Sequence, residues 1–337
     1  MKVLIQIVTW NSLRWLHDCL DSIFAQTYRD FSVLLIDNAS HDQTIEYLQQ
    51  QWPEIGIFHN YKNIGFSAGH NLGIKLTKQF DYLLVMNPDV ILQPDCLAKL
   101  VQAIESDQSL SSVGPKLFKF RLDKDNPNYK IKTDILDSTG LKILTSRRVI
   151  NRGESEKDIG QYNQIEKVFG FSGSLVLYRY QALKDIKIND EYFDEDFFAY
   201  QEDIDLSWRL LHRGWNALYL PEACAYHFRH LAGKEKFNLW QKIKQQYHRP
   251  SLLSFYSYRN HLLVLLKNDH FTNLFKQIIR IKFYEMGKFL VLLLLKPAVL
   301  AKSLCSFFRL MPRMLKKRRQ IMRRSKLTSE QARSWFK

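Results

Sequence analysis

Cysteine is scarce: Cys19, Cys96, Cys224 and Cys305 are the only four in 337 residues, and none stands in a CxxC or Cys/His spacing. That excludes a zinc ribbon or a disulfide-stapled scaffold and fits a reducing compartment. Long apolar runs are missing too. The stretch from Phe289 to Ala301 is broken by Lys296 and Pro297 and falls short of the roughly 20 residues that span a bilayer. The N-terminus, with Gln6 inside Val3 to Val8, is too short and polar for a signal-peptide core. No GxGxxG follows the first apolar segment and no GxxxxGK[ST] occurs, which disfavours a dinucleotide dehydrogenase and a P-loop enzyme. Acidic residues run out only towards the end. Residues 231–337 hold 24 Lys+Arg and four Asp+Glu, against 25 and 30 in residues 1–230. The net charge of +15 thus sits in the last third, on a tail behind a mildly acidic module. No nucleic-acid recognition motif accompanies it, so no nucleic-acid partner is expected.

What is present is alternation. Residues 3–8 read as a strand, after which Asn11-Ser12 offer N-cap side chains to a helix with Leu13, Leu16, Leu20 and Ile23 on one face. A second strand, Phe31 to Ile36, precedes Asp37-Asn38-Ala39, and Ser40 with Gln43 reads as a capping box. A third lies near Ile57-Phe58, and a fourth, Tyr82 to Met86, ends in Asn87-Pro88-Asp89. The expectation is an α/β fold with a doubly wound, mostly parallel sheet. Ligands bind such sheets beyond the carboxyl ends of the strands, where Thr9, Asp37 and Asn87-Pro88-Asp89 all fall.

Several clusters carry two readings. The glycines of Asn63 to Gly73 suit either close helix-on-sheet packing or an approach to a diphosphate. Asp89 suits either a turn cap or a ligand for a hard divalent ion. The small residues of Gly170 to Ser174 would let a substrate approach the backbone. Residues 190–205 hold eight carboxylates interleaved with five aromatics, a density that requires partial burial and suggests a walled cleft. Glu202-Asp203 open a helix marked by Leu206, Leu210 and Leu211, where they serve either as dipole caps or as a general base. His227 follows an apolar strand and is either structural or a ligand.

The order of these clusters resembles glycosyltransferase family 2, and within it the bacterial rhamnosyltransferase-like group. Val8-Thr9-Trp10-Asn11 is similar to the family's first strand end, Asp37 to Thr44 to its DNaSxDxT, Asn63 to Gly73 to its NxGFaxgxNxG, and Phe193 to Arg209 to its FDExFFxYxEDxDxxxR. Asn87-Pro88-Asp89 stands where the DXD-type motif belongs, with one carboxylate fewer than many members have. The resemblance covers residues 1–230 and continues weakly through Tyr258-Arg259-Asn260. It implies a GT-A fold and inverting transfer of a sugar from a nucleoside diphosphate to a hydroxyl. By position it places Thr9, Asn11, Asp37, Asn63, Gly65, Asn71 and Asn87 at the nucleotide-sugar, Asp89 and His227 on Mg²⁺ or Mn²⁺, and Asp203 as the base with Glu202 as its alternative. Burial among the aromatics would raise the base's pKa. The group favours dTDP-rhamnose, with UDP-hexoses as the alternative donor.

A catalytic domain over residues 1–235 and a basic helical region over 236–337 follow. The apolar run and the alternating Arg313 to Arg324 read as amphipathic helices on an anionic membrane surface, or else as a bundle packed on the catalytic domain. A lipid-linked saccharide acceptor and a peripheral location on the cytoplasmic face of the membrane fit the first of these. A catalytically inactive nucleotide-sugar sensor and a nucleotidyltransferase are the competing functions.

Overall fold

A computed structural model of the chain describes residues 2–77, 79–123, 130–228, 244 and 246–337. Its centre is the four-strand parallel unit expected from the sequence. Strand β1 (Val3–Thr9) pairs with β2 (Phe31–Asp37), which pairs with β3 (Gly56–His59), and on its other side β1 pairs with β4 (Tyr82–Met86). Helices α1 (Leu13–Phe24) and α2 (Thr44–Gln51) cover one face, burying Leu16, Leu20, Ile23 and Leu48 with Val3, Ile5 and Ile7. Helix α3 (Gly65–Leu76) covers the other, where Ile74 packs with Leu4, Leu83 and Val85. Alternate residues of β1 therefore serve opposite layers. The chain reverses direction across the sheet between β1 and β4, and Thr9 and Asn87 stand at the two strand ends flanking that switch point.

The glycines of α3 are a packing device. A Cβ on Gly73 would lie 1.9 Å from Gln6 Nε2, and one on Gly69 2.9 Å from Val8 Cγ1. Gln6 Nε2 donates to the carbonyls of Gly69 (3.3 Å) and His70 (3.0 Å), binding the helix backbone directly to the strand.

Two caps differ from expectation. Ser40 is no capping-box residue for α2, because its hydroxyl donates to Asp37 Oδ1 (2.5 Å) and Gln43 takes the N-cap position with φ 63° and no side-chain bond. Ser12 likewise turns to the Trp10 carbonyl, and the carboxylate of Asp42 accepts from Leu13 N (3.0 Å) in its place. The second swap binds the β1 and β2 loops together, as does Ser40 Oγ in accepting from Asn11 N (2.8 Å).

The second half of the sheet is mixed. Strand β5 (Val90–Leu92), helix α4 (Cys96–Ser106), β6 (Leu110–Leu122) and β7 (Lys130–Ser138) lead to a small hairpin, β8 (Leu141–Ile143) with β9 (Val149–Asn151). Then come β10 (Glu166–Val168), β11 (Leu175–Arg179), α5 (Tyr180–Asp185), α6 (Glu202–His212) and β12 (Asn216–Phe228). Strand β11 runs antiparallel between β4 and β6, and β12 is parallel to β6 and antiparallel to β5.

Among the described residues the helices α7 (Ser251–Asn268), α8 (Phe271–Lys276), α9 (Ile278–Leu295), α10 (Pro297–Arg323) and α11 (Ser329–Ser334) follow. The expected boundary at residues 235/236 lies outside the described residues. Among those described, no helix is long and apolar enough to cross a membrane. The Arg313–Arg324 stretch, read either as lying on a membrane surface or as packed on the catalytic domain, has one buried face, while Arg313, Leu315, Lys316, Arg319, Arg323 and Arg324 are exposed. Met314, Lys317, Arg318 and Ile321 are buried, and Met314 joins Leu263, Val264 and Trp208 in one core.

Candidate active site

Loops at the carboxyl ends of β1 and β2 form the first wall. Asp37 is fully buried and accepts from Ser40 N (3.0 Å), while His59 Nδ1 lies 2.8 Å from its Oδ2. Asn11 Oδ1 accepts from His41 N (2.8 Å), so the side chain expected at the nucleotide-sugar closes the loop. Thr9 is buried with its hydroxyl unpartnered among the described residues. Such a hydroxyl awaits a partner or carries a desolvation cost.

Two residues expected at the nucleotide face elsewhere. Asn71, fully buried, accepts from the backbone N–H groups of Tyr192 (3.1 Å) and Phe193 (2.9 Å) and donates to the Phe193 carbonyl (2.8 Å) and Glu195 Oε1 (2.9 Å). It pins the acidic segment to α3. Gly65, at φ +86°, is pressed against Phe198, whose carbonyl accepts from Phe66 N (2.7 Å) and Ser67 N (3.3 Å). The first N–H groups of α3 thus bond to protein oxygens. Asn63 Oδ1 accepts from Gly65 N (2.9 Å) and shapes this turn from a half-buried position. Gly170 and Gly173 also serve packing, since a Cβ on either would meet Ser207 Oγ at 2.0 Å or the Phe66 ring at 2.8 Å.

The second wall is the turn after β4. Asn87 N donates to the Ser174 carbonyl (2.9 Å), which anchors Asn87-Pro88-Asp89 to the loop before β11. Strand register sets His227 opposite Val90, so its ring reaches Asp89. His227 Nε2 lies 3.3 Å from Asp89 Oδ1, and its Nδ1 is 2.8 Å from Asp137 Oδ2. Burial pulls the imidazole pKa down, but Asp89 and Asp137 outweigh it and raise the value to about 9. Asp137, at the end of β7 and fully buried, was not singled out from the sequence; its only local signal is an acid among apolar residues just before Ser138-Thr139-Gly140.

Glu202 and Asp203 open α6 and differ sharply. Asp203 is partly exposed; its Oδ1 accepts from Ile204 N (2.8 Å) and its Oδ2 from Gly173 N (3.2 Å), one residue from the Ser174 carbonyl that holds Asn87. A raised pKa falls on Glu202. Glu202 is 7% exposed, its Oε2 lacks a hydrogen-bond partner among the described residues, and burial, then Asp203 and Asp205, push its carboxyl well above the ordinary 4.5. A raised acid pKa makes the native state bind more protons than the unfolded chain, so this group costs stability as pH climbs above about 4.5. Glu202→Gln is therefore expected to raise the melting temperature at neutral pH and to lose that advantage near pH 4, as calorimetry across pH would show.

The rest of the acidic segment does not line a cleft. Lys267 Nζ bridges Asp194 Oδ2 (2.6 Å) and Asp205 Oδ1 (2.7 Å), with all three side chains buried. Lys317 Nζ reaches Asp194 (2.5 Å), Asp196 (2.9 Å) and Glu191 (3.3 Å), and Arg313 meets Asp196 (2.5 Å). Burial works against the charge on Lys317, yet Asp194 and Asp196 hold it above the ordinary lysine value. Basic residues of the tail are thus counter-charges for the catalytic half. Helix α7 adds a clamp: Arg259 Nη2 donates to the Asp196 carbonyl (2.8 Å), and Asn260 Nδ2 reaches those of Phe197 (2.9 Å), Ala199 (2.9 Å) and Tyr200 (2.8 Å). That clamp holds a loop in which Phe198, Tyr200 and Gln201 all have φ between 63° and 75°, a strained entry to the helix bearing Asp203.

Residues 5–187 match the family model described as Glycosyl transferase family 2, and residues 145–311 match Glycosyl transferase family group 2. Among curated proteins, the N-acetylglucosaminyl-diphospho-decaprenol L-rhamnosyltransferase of Mycobacterium tuberculosis is 27% identical over 252 residues, 68% of this chain and 76% of that protein. The poly-beta-1,6-N-acetyl-D-glucosamine synthase of Staphylococcus aureus is 26% identical over 225 residues, 65% of this chain and 48% of that protein. A solved structure, GalNAc-T7 with UDP, GalNAc and Mn²⁺, superposes with a TM-score of 0.59 at 14% identity, covering 79% of this chain and 48% of that one. The chain spans about half the length of the last two. At 14% identity the structural likeness shows the fold, which is GT-A. A family match over more than half the chain, on a sheet of this fold, leads to one conclusion: the chain belongs to glycosyl transferase family 2.

Proposed function

We propose that the chain transfers a sugar, L-rhamnose from dTDP-rhamnose first and a hexose from a UDP donor second, to a hydroxyl of a saccharide or polyprenyl-linked saccharide, with inversion. The observation that carries this reading is Asp203, a partly exposed carboxylate fixed by two backbone N–H groups and tied through Gly173-Ser174 to Asn87. The mycobacterial relative supports rhamnose and a lipid-linked acceptor by its own activity. The sensor reading gains no support from the matches.

Thr9, Asp37 and Asn87 would take the base and ribose, Thr9 through the hydroxyl left without a partner. The residues present fit a divalent cation, Mg²⁺ or Mn²⁺. Asp89 Oδ1 is buried without a hydrogen-bond partner among the described residues and lies 3.3 Å from His227 Nε2, so these two would hold the ion once His227 gives up its Nε2 proton. No cluster of three or more His, Cys, Asp or Glu that could hold a metal occurs among the described residues, so the substrate's diphosphate oxygens would complete the shell. When bound, the cation supplies charge stabilisation to the departing nucleoside diphosphate. Asp203 takes the proton of the acceptor hydroxyl as its oxygen attacks the anomeric carbon, and a single in-line displacement inverts the configuration.

Asp137 orients His227 by accepting at Nδ1 and leaving Nε2 to face Asp89. Asp137→Ala is expected to weaken Mn²⁺ binding about 10–100-fold, read by electron paramagnetic resonance with dTDP present. The proposal itself is tested by nucleoside-diphosphate release from a panel of dTDP- and UDP-sugars, with Mg²⁺ or Mn²⁺ and with EDTA. Release from one donor, lost in EDTA, is the expected result. Nucleotide binding without release from any donor would contradict it. The place of work is proposed as the cytoplasmic face of the membrane, with the protein bound peripherally through its basic C-terminal helices.

A further inference from the structure

Helix α9 has two unlike faces. One is fixed to the protein: Ile281 and Leu292 are buried, Leu292 and Phe289 pack with Tyr258 and Leu300, and Glu285 Oε1 lies 2.7 Å from His261 Nε2. The other carries Ile279, Phe283, Met286, Leu290, Leu293 and Leu294, exposed by 69, 79, 55, 47, 45 and 78%. Their spacing of 4, 3, 4 and 3 residues, closed by an adjacent pair, makes one continuous stripe about 100° wide at about 100° per residue. Arg280 and Lys282, both exposed, fall on opposite flanks of it. Six large apolar side chains aligned along about 23 Å of helix exceed the scattered exposure normal for a monomer surface.

We infer that this stripe is a docking face for an anionic lipid bilayer, into which α9 sinks lengthwise while Arg280 and Lys282 reach up to the headgroups. Charge selects this occupant. Every exposed charged residue of α9 and α10 is a Lys or Arg. A second copy would present the same stripe and the same cations in an isologous contact, setting like charges together, whereas an anionic surface complements them. Because the opposite face of α9 is packed on α7 and α10, the helix lies along the bilayer rather than across it. Those two helices also hold the loop before Asp203, through Asn260, Arg259, Lys317 and Arg313. Docking would therefore set the acceptor side of the site at a fixed height above the lipid. This deepens the membrane location proposed above, and its purpose, though not its binding, rests on the transferase reading.

The test uses the full chain with vesicles of phosphatidylcholine alone or with 30% phosphatidylglycerol. Flotation with the anionic vesicles is expected, reduced about tenfold or more in partitioning by each of Phe283→Asp and Leu290→Asp, with dTDP binding unchanged. Because a charge substitution can disturb folding, F283W supplies an independent readout: its emission should shift to the blue on anionic vesicles and be quenched by brominated acyl chains. An unquenched F283W, or aspartate variants that float like the wild type, would overturn the inference. So would a stable dimer in sedimentation that Phe283→Asp dissolves. If no donor is turned over while quenching persists, the transferase reading fails and the docking face stands.

Discussion

Asp203→Asn is expected to lower turnover by about 10²–10⁴-fold while leaving nucleoside-diphosphate affinity near that of the wild type. The substitution keeps size and shape, and an amide oxygen can still accept one of the two bonds from Ile204 N and Gly173 N. What is lost is the ability to take the acceptor's proton. Glu202 is adjacent but no substitute, because burial, the larger cause of its raised pKa, still holds its carboxyl towards the protonated form when the charge of Asp203 is gone. Wild-type turnover in Asp203→Asn, with inactivity in Glu202→Gln, would transfer the role to Glu202.

The largest stability effect is expected far from any substrate. Lys267→Met should destabilise the fold by about 3–5 kcal/mol, the cost of removing one partner from a buried ion network. Asp194 keeps Lys317 (2.5 Å), and Asp205 keeps Arg209 (2.8 Å) and Asn268 (2.8 Å), yet each loses its Lys267 contact inside the protein. Burial alone would raise both carboxyl pKa values; Lys267 with Lys317 lowers that of Asp194, and Lys267 with Arg209 lowers that of Asp205. Depressed carboxyls stabilise the native state above their unfolded pKa near 3.8 and lose that contribution as pH falls through the folded value. The deficit of Lys267→Met should therefore be full at neutral pH and shrink in acid. Urea midpoints at an unchanged m-value measure it. A shift below about 1 kcal/mol would mean that the network behaves as a solvated surface pair.

The sequence shows most clearly what is local. Strands β1, β2 and β4 and the polar clusters at their ends lie where periodicity puts them, because buried parallel strands write themselves as short apolar runs. Pairings distant in the chain are silent. Asp137 meets His227 across 90 residues, a contact that exists only once β6 has paired with both β7 and β12. Asn71 reads as a pocket residue until its partners, 121 to 124 residues on, come into contact. Ser40 and Gln43 have the capping-box spacing, but Ser40 Oγ donates to Asp37 Oδ1 and accepts from Asn11 N rather than from Gln43 N. The basic tail shows the same limit. Composition gives the sign of Lys317 and Arg313 and not that their counter-ions are Asp194 and Asp196; it gives the apolar residues of α9 and not that one face of them stays uncovered.

One carboxylate acting in a single displacement is the centre of this account, and the anomeric configuration of the product tests it most directly. Proton NMR of the glycoside formed from a donor of known configuration should show the opposite configuration at the transferred anomeric carbon. A product that retains the donor's configuration would contradict the account, since it requires a second displacement and a nucleophile that the Asp203 arrangement does not supply.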